Sequence, residues 1–447
     1  MKKVITYGTY DLLHYGHIHL LERAKALGDY LVVGITADDF DKTRGKINVQ
    51  QTLNERIEGV RTTGIADEII IEEYEGQKID DIRRLGIDIF TVGSDWVGLF
   101  DYLNEYCEVI YLNRTEGISS SELREKKCAL TIGLVGNSSY LNKVAAESLY
   151  VNGIQLSGIC CTLEQNFSEQ IKNLPLKTDS YDSLLEASDA VYIHSVPKKH
   201  YSQIKRALLS GKHVICESPI SLSVAECQEL YDLAKEKHCI LVEALRTAYA
   251  TAFNRLILLI KGGKIGKVVS VDVVCTSLKE FDTIDKNRLL NSWNSITSWG
   301  PTALLPIFQI LGNKYCGLQI TSHFVDEARE YDAFTQIVFN YPSAIASIKV
   351  GNGVKSEGEL IVSGTKGYVY VPAPWWKTDY FEIRYENPNE NKKYFYQLDG
   401  EGLRYMIADF AKSVERGRES LYIDRQTSLA IAAVMEKFSS KDNMLII

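Results

Sequence analysis

Three absences narrow the function before any motif is read. None of the nine cysteines forms a C-x-x-C pair, and Cys160-Cys161 falls inside a predicted strand. That argues against a zinc site or a disulfide framework and for reduced thiols. No apolar run is long enough to cross a membrane, and the amino terminus MKKVITYG is too poor in apolar residues for a signal peptide. The expectation is a cytoplasmic protein with no membrane insertion. Positive charge is not in excess: the formal net charge is −8, which disfavours a nucleic-acid or anionic-lipid surface. The 447 residues leave room for two or three domains.

The informative stretch is 3–27, KVITYGTYDLLHYGHIHLLERAKAL. Its first residues read as a buried strand over 4–7, which Gly8 breaks. From His17 onward Ile18, Leu20, Leu21, Ala24 and Leu27 recur at helical spacing. Residues 11–17 therefore form a strand-to-helix turn, where free N–H groups and the helix dipole attract anions. His14 and His17 stand there in the pattern H-x-G-H, and Gly16 lets a phosphate approach the backbone. Two imidazoles on an anion site point to stabilisation of a transferring phosphoryl group rather than to a metal; two helix-start histidines without a role is the competing reading.

Further along, 30–35, 68–71, 88–92 and 109–112 read as strands, with a polar loop over 38–52 and helices over 53–64 and after 74–78. Strands alternating with helices give a parallel doubly wound sheet with its crevice at the strand carboxyl ends. A second such set opens at 129–135. Leu149 to Val151 are placed in the helix after it, with strands at 154–161 and 189–196 and a helix at 198–210. From about residue 264 longer alternating strands predict a mostly antiparallel sheet, closed by helices at 401–417 and 426–438. The expected class is α/β: two doubly wound parallel-sheet (Rossmann-like) domains at 1–127 and 128–245, then an α+β domain at 246–447. His194, His200 and His213 read as structural, and Trp375-Trp376 as either a strand-end core or an exposed patch for a partner or sugar.

The first stretch, with DEIIIEE (67–73), VGSDWVG (92–98) and RTEGISSSELR (114–124), resembles the glycerol-3-phosphate cytidylyltransferase family of the H-x-G-H nucleotidyltransferase superfamily, over roughly 1–127. The resemblance implies that CTP and a polyol phosphate, glycerol 3-phosphate by default, give a CDP-polyol and pyrophosphate for wall (teichoic acid) or capsule polymers. It implies His14, His17, Lys46 and Arg44 as catalytic groups, Arg44 standing where the family has a lysine. It implies CTP contacts at Thr9, Tyr10, Asp11, Gly16, Arg114, Thr115, Gly117, Ile118, Ser119 and Ser120, and acceptor contacts at Lys78, Asp67, Arg56 and Asp95. Mg²⁺ would ride on the triphosphate with no protein ligand assigned, and the enzyme would be a homodimer. Gly64 and Ser94 depart from the family's arginine and acid.

From 129 to 445 the chain resembles the glucose–fructose oxidoreductase and inositol dehydrogenase (Gfo/Idh/MocA) family, through Ser195-Val196-Pro197, GKHVICESP, GKIGKV and Gly364-Thr365-Lys366-Gly367. Four departures touch its chemistry. The family's G-x-G-x-x-G reads Gly136-Asn137-Ser138-Ser139-Tyr140-Leu141; no acid follows Cys160-Cys161-Thr162; the lysine of E-K-P is Ser218; and the general-acid histidine aligns with Thr302. NAD(P) is therefore not expected. The alternatives are a bifunctional enzyme whose second half reduces a keto-sugar phosphate with NAD(P)H, or a binding or dimerisation module.

Overall fold

Strand β1 (Lys3–Gly8) alternates its side chains between two buried faces. Val4 packs with Leu21, Ala24, Leu31, Val33 and Val60, while Ile5 packs with Val32, Ile82, Phe90 and Leu103. Burial on both faces is the consequence of helices covering both sides of a parallel sheet. The structure, a computed structural model, describes residues 1–37, 49, 51–74, 76–113, 130–151, 153–162, 167–278, 293–396 and 398–447. It divides into two compact units, 1–129 and 130–447.

In the first unit β1 is joined by β2 (Tyr30–Thr36), β3 (Glu68–Glu72), β4 (Ile89–Gly93) and β5 (Glu108–Leu112). All are parallel, in the order β3-β2-β1-β4-β5. The chain moves outward from β1 to β3, then crosses back to β4, so the switch point and its crevice lie at the carboxyl ends of β1 and β4. The described helices are α1 (Tyr15–Lys25), α2 (Leu53–Thr62) and α3 (Gln77–Leu85). Helix α1 starts two residues before the apolar spacing predicts, because His14 caps it: Nδ1 accepts the Gly16 N–H at 3.1 Å.

The second unit opens with a parallel sheet of β6 (Leu130–Val135), β7 (Ile154–Cys160), β8 (Leu176–Thr178), β9 (Ala190–Ile193), β10 (His213–Glu217) and β11 (Leu241–Ala244), ordered β11-β10-β9-β6-β7-β8. Its helices are α4 (Leu141–Ser148), α5 (Glu169–Lys172), α6 (Tyr181–Glu186), α7 (Pro197–Leu209) and α8 (Val224–Glu236). Leu149 to Val151 fall past α4 rather than inside it: Leu149 is the helix cap, and Gly153, at φ +77°, turns the chain into β7. Helix α9 (Thr251–Lys261) leads to a nine-stranded sheet: β12 (Val268–Thr276), β13 (Gly317–Phe324), β14 (Asp332–Asn340), β15 (Ile345–Gly351), β16 (Leu360–Gly364), β17 (Tyr368–Val371), β18 (Tyr380–Arg384), β19 (Lys392–Phe395) and β20 (Met444–Ile446). Only the β12–β15 and β13–β20 pairs are parallel. Helix α10 (Ser295–Leu311) lies across β12, β14 and β15, and α11 (Leu403–Arg416) and α12 (Arg425–Ser440) close the unit.

Trp375 and Trp376 are 0% and 8% exposed, so of the two readings the core one holds. The indole N–H of Trp375 donates to the Val274 carbonyl at 3.1 Å. His200 and His213 are structural: the His200 ring bonds the carbonyls of Pro219 and Ser195, each at 2.8 Å, and His213 Nδ1 accepts the Ile240 N–H at 2.9 Å.

Candidate functional site

The turn after β1 is held in an unusual backbone. Tyr10 and Leu12 have φ of +52° and +50°, a region non-glycine residues occupy only where their surroundings fix them. Here Tyr10 is buried, Asp11 Oδ1 accepts the Gln51 N–H at 2.9 Å, and the Leu12 N–H donates to Gln51 Oε1 at 2.7 Å. The kink delivers His14 to the start of α1 and His17 into its first turn. Their rings stack with centroids 3.9 Å apart, and Tyr10 meets His17 edge-on at 5.5 Å. Because His14 Nδ1 is the acceptor for the Gly16 amide, a neutral His14 ring carries its proton on Nε2. Arg56 is buried beside this turn; its Nη1 donates to the carbonyls of Thr9 at 2.7 Å and Thr36 at 2.9 Å, tying the ends of β1 and β2 together.

Beside the turn, α3 buries a polar face of Gln77, Lys78 and Asp81. Lys78 pairs with Glu72 at the end of β3, and its Nζ lies 4.7 Å from the Tyr7 ring centroid and 5.5 Å from that of Phe100. Glu72 also accepts from Thr36 Oγ1 at 2.9 Å, and Asp81 accepts from Tyr7 at 2.9 Å and Gln77 at 3.0 Å. Burial, and after it the Asp81 carboxylate, hold the Tyr7 phenol well above its usual pKa. Glu72, Gln77, Asp81 and Tyr7 escaped the sequence reading. Their signal was an i, i+4 polar stripe, Gln77 and Asp81, on the face that should have been apolar.

Thr9, Tyr10, Asp11, His14, Gly16, His17, Arg56 and Lys78 thus gather at the carboxyl ends of β1, β2 and β3. Asp67 does not join them. It precedes β3 at the amino end of the sheet, where it pairs with Lys25 and accepts the Leu31 N–H at 2.6 Å. That carboxylate fastens strand starts, at the edge of the sheet opposite His14 and Lys78. Arg44, Lys46, Arg114, Thr115, Gly117, Ile118, Ser119, Ser120 and the Asp95 side chain lie outside the described residues. Among the described residues no three His, Cys, Asp or Glu side chains cluster as a metal site.

The second unit has its own crevice, where the loops after β6, β9, β10 and β11 surround a cavity of about 380 Å³. A nicotinamide dinucleotide needs the loop after β6 to offer free N–H groups to its pyrophosphate. Four at its helix end are bonded internally: the Tyr140 N–H goes to Ser138 Oγ (3.2 Å), and those of Leu141, Asn142 and Lys143 go to the carbonyls of Ser138, Ser139 and Tyr140 (3.1, 3.1 and 2.9 Å). Asn137 is also committed, exchanging two 2.9 Å hydrogen bonds with Thr162 at the end of β7. Gly136 alone keeps the expected form, since a Cβ there would sit 2.1 Å from the His194 carbonyl. His194, read from sequence as structural, instead lines the cavity.

The matches to known proteins follow the two units. The model of the family described as cytidylyltransferase-like matches residues 5–126, and that of the oxidoreductase family with an NAD-binding Rossmann fold matches 130–245. Glycerol-3-phosphate cytidylyltransferase of Bacillus subtilis (strain 168) is 51% identical over 130 residues, 29% of this chain and 100% of that enzyme; the Staphylococcus aureus (strain NCTC 8325 / PS 47) enzyme is 47% identical over 128 residues, covering 28% and 95%. Rabbit (Oryctolagus cuniculus) trans-1,2-dihydrobenzene-1,2-diol dehydrogenase is 25% identical over 59% of this chain and 82% of its own. A 3-ketoreductase from Actinomadura kijaniata, solved with NADP and TDP-benzene, superposes on 71% of this chain and 99% of its own with a TM-score of 0.62 and 16% identity, which shows the shared fold alone. No described helix is long and apolar enough to cross a membrane. Through its first 130 residues the chain belongs to the glycerol-3-phosphate cytidylyltransferase family and is a nucleotidyltransferase, and those residues are followed by an oxidoreductase-family domain.

Proposed function

We propose that the protein transfers cytidylyl from CTP to a polyol phosphate, glycerol 3-phosphate by default, releasing pyrophosphate and a CDP-polyol for a wall or capsule polymer. The observation that carries this reading is the stacked His14–His17 pair at the start of α1, 3.9 Å apart, in a chain segment half identical to whole enzymes of that name. The acceptor's phosphate oxygen attacks the α-phosphorus in line, and pyrophosphate leaves. Nothing covalent is asked of the protein: it positions the two anions and neutralises developing charge. His14, offering Nε2–H, and His17 stabilise the pentacoordinate phosphorus. Thr9, Tyr10, Asp11 and Gly16 border the nucleotide, with Arg114, Thr115, Gly117, Ile118, Ser119 and Ser120 completing its contacts. Arg44 and Lys46 hold the triphosphate, on which bound Mg²⁺ supplies further charge neutralisation. Lys78 takes the acceptor phosphate, and Asp95 is a further acceptor contact. Arg56 acts from beneath, by holding the Thr9 turn.

The same reading makes the protein a cytoplasmic homodimer and divides the second unit into domains at 128–245 and 246–447, where the parallel sheet gives way to the mixed one. It assigns no reductase chemistry to that unit, on the loss of the loop glycines at Ser138 and Leu141 and of the lysine at Ser218. The test is pyrophosphate release from CTP with a panel of polyol phosphates. Turnover with glycerol 3-phosphate that collapses in His17→Ala supports the reading; a folded protein inactive with every polyol phosphate overturns it.

A further inference from the structure

The turn that leads into His14 and His17 is gripped by the start of α2. Arg56, in the first turn of that helix, donates to the Thr9 carbonyl at 2.7 Å. Gln51, two residues before the helix, reaches the same turn twice. Its N–H donates to Asp11 Oδ1 at 2.9 Å, and its side-chain Oε1 accepts the Leu12 N–H at 2.7 Å. Thr52 stands between Gln51 and the helix as the cap. In a reciprocal box the Glu55 N–H donates to Thr52 Oγ1 at 3.3 Å and the Thr52 N–H donates to Glu55 Oε2 at 2.7 Å. The helix start thus closes its own hydrogen bonds, and the Gln51 side chain is left to serve the turn.

The two turn residues at positive φ are not supported alike. Tyr10, at φ +52°, is buried and packs in the cluster of Val4, Leu21 and Leu31. Leu12, at φ +50°, is only half-buried. A leucine stays in that conformation only where its surroundings hold it. Among the described residues the partner of the Leu12 N–H is Gln51 Oε1. Leu12 lies two residues before His14, whose carbonyl accepts the N–H groups of His17 at 2.9 Å and Ile18 at 3.1 Å. The direction of the chain at Leu12 is therefore passed to both imidazoles, which stack 3.9 Å apart.

We propose that Gln51 is a positioning residue for the His14–His17 pair: by accepting the Leu12 N–H it fixes the left-handed backbone that sets where both rings stand. This rests on the reading of that pair as the groups that stabilise the pentacoordinate phosphorus, and names the side chain that holds them in place. Glutamine brings an acceptor oxygen at the needed reach and no charge beside the substrate anions. Asparagine is one methylene short, and methionine has the length but only a weakly accepting sulfur. Loss of the bond should fall on rate more than on binding, because a displacement of about 1 Å in a stabilising group costs up to about a hundredfold.

The test uses the full chain, with steady-state turnover of CTP and glycerol 3-phosphate, thermal denaturation, and nitrogen–proton NMR of the imidazoles. The signals of the pair are identified by their loss in His14→Asn and His17→Ala. Gln51→Met should lower kcat about 10- to 100-fold, change the KM for glycerol 3-phosphate by less than about threefold, and shift the His14 and His17 signals. Gln51→Glu, which returns the acceptor oxygen, should recover kcat at saturating CTP to within about threefold of wild type. A merely structural Gln51 would lower the melting temperature and leave kcat of the folded protein unchanged. Should Gln51→Met fail to fold, Gln51→Asn takes its place with the same expected loss. Full turnover in the folded variant beside a collapse in His17→Ala, an equal loss in Gln51→Glu, or unmoved His14 and His17 signals would overturn the proposal. Full turnover in His17→Ala would instead overturn the reading of the histidine pair, and the proposal with it.

Discussion

The hydroxyl of Tyr7 donates to Asp81 at 2.9 Å, joining the end of β1 to the polar face of α3. The Tyr7 ring can lie there only because its neighbour on β2 is Gly34, where a Cβ would come within 2.2 Å of the ring. Fixed at both edges, the ring turns its face to Lys78, whose charge Glu72 balances. The buried ammonium thus has an anion on one side and an aromatic face on the other.

With Lys78 proposed as the acceptor-phosphate group, acceptor and nucleotide binding should respond separately to its loss. Lys78→Met should raise the KM for glycerol 3-phosphate by roughly 10- to 100-fold, the scale of a lost charged hydrogen bond, while the KM for CTP changes little. Steady-state kinetics with each substrate varied in turn reads the split. An equal rise in both would remove Lys78 from the acceptor site.

The two histidines should separate as well. His17→Ala removes a charge-stabilising group and should lower kcat about a hundredfold or more. His14 additionally caps α1 through the Gly16 amide, so His14→Ala should lose similar turnover and about 1 kcal/mol of stability. His14→Asn restores a capping oxygen without an imidazole and should recover the stability alone. Thermal denaturation beside turnover measurements distinguishes the three.

The sequence displayed all five strands of the first parallel sheet, three of the six of the second, and the H-x-G-H turn, because these depend on local periodicity and on residues adjacent in the chain. It concealed the Lys78 environment, which draws on Tyr7, Thr36, Glu72 and Asp81 from four separate elements. It misplaced Asp67, since the acids of DEIIIEE look alike in a string, whereas β3 puts Asp67 at one end of the sheet and Glu72 at the other. It showed that Ser138 and Leu141 replace glycines, but not that the loop amides close on the loop's own oxygens. Strands β18 to β20 are short and follow turns rather than long alternating runs, so periodicity had little to register.

The two units should fold separately. Residues 1–129 form a compact unit with a five-stranded sheet and two apolar clusters of their own. A truncated chain ending at Lys127 is expected to unfold cooperatively and to retain CTP-dependent pyrophosphate release with glycerol 3-phosphate. A soluble, folded truncation without activity would mean that residues after 128 complete the site or hold the dimer.

The last prediction concerns Glu217. Burial is the main cause of its rise from the ordinary carboxyl value to about 7, opposed by the Tyr192 hydroxyl and Arg246. Between about pH 4.5 and 7 the folded state therefore keeps a proton that the unfolded chain releases, and linkage makes stability fall as pH rises through that window. His194, pushed down to about 4 by burial, acts with the opposite sign: the unfolded chain binds the extra proton between about 4 and 6.5, so its contribution rises with pH. The wild-type profile mixes the two, but the difference between Glu217→Gln and wild type isolates the first. Relative to wild type, the glutamine variant should gain stability from about pH 4.5 to 7 and level off above that, by up to about 3 kcal/mol at one pK unit per 1.36 kcal/mol. Denaturant unfolding of the second unit at pH 5 and pH 8 measures it. A variant-minus-wild-type difference that is flat in pH would show that Glu217 is ionised in the folded protein throughout.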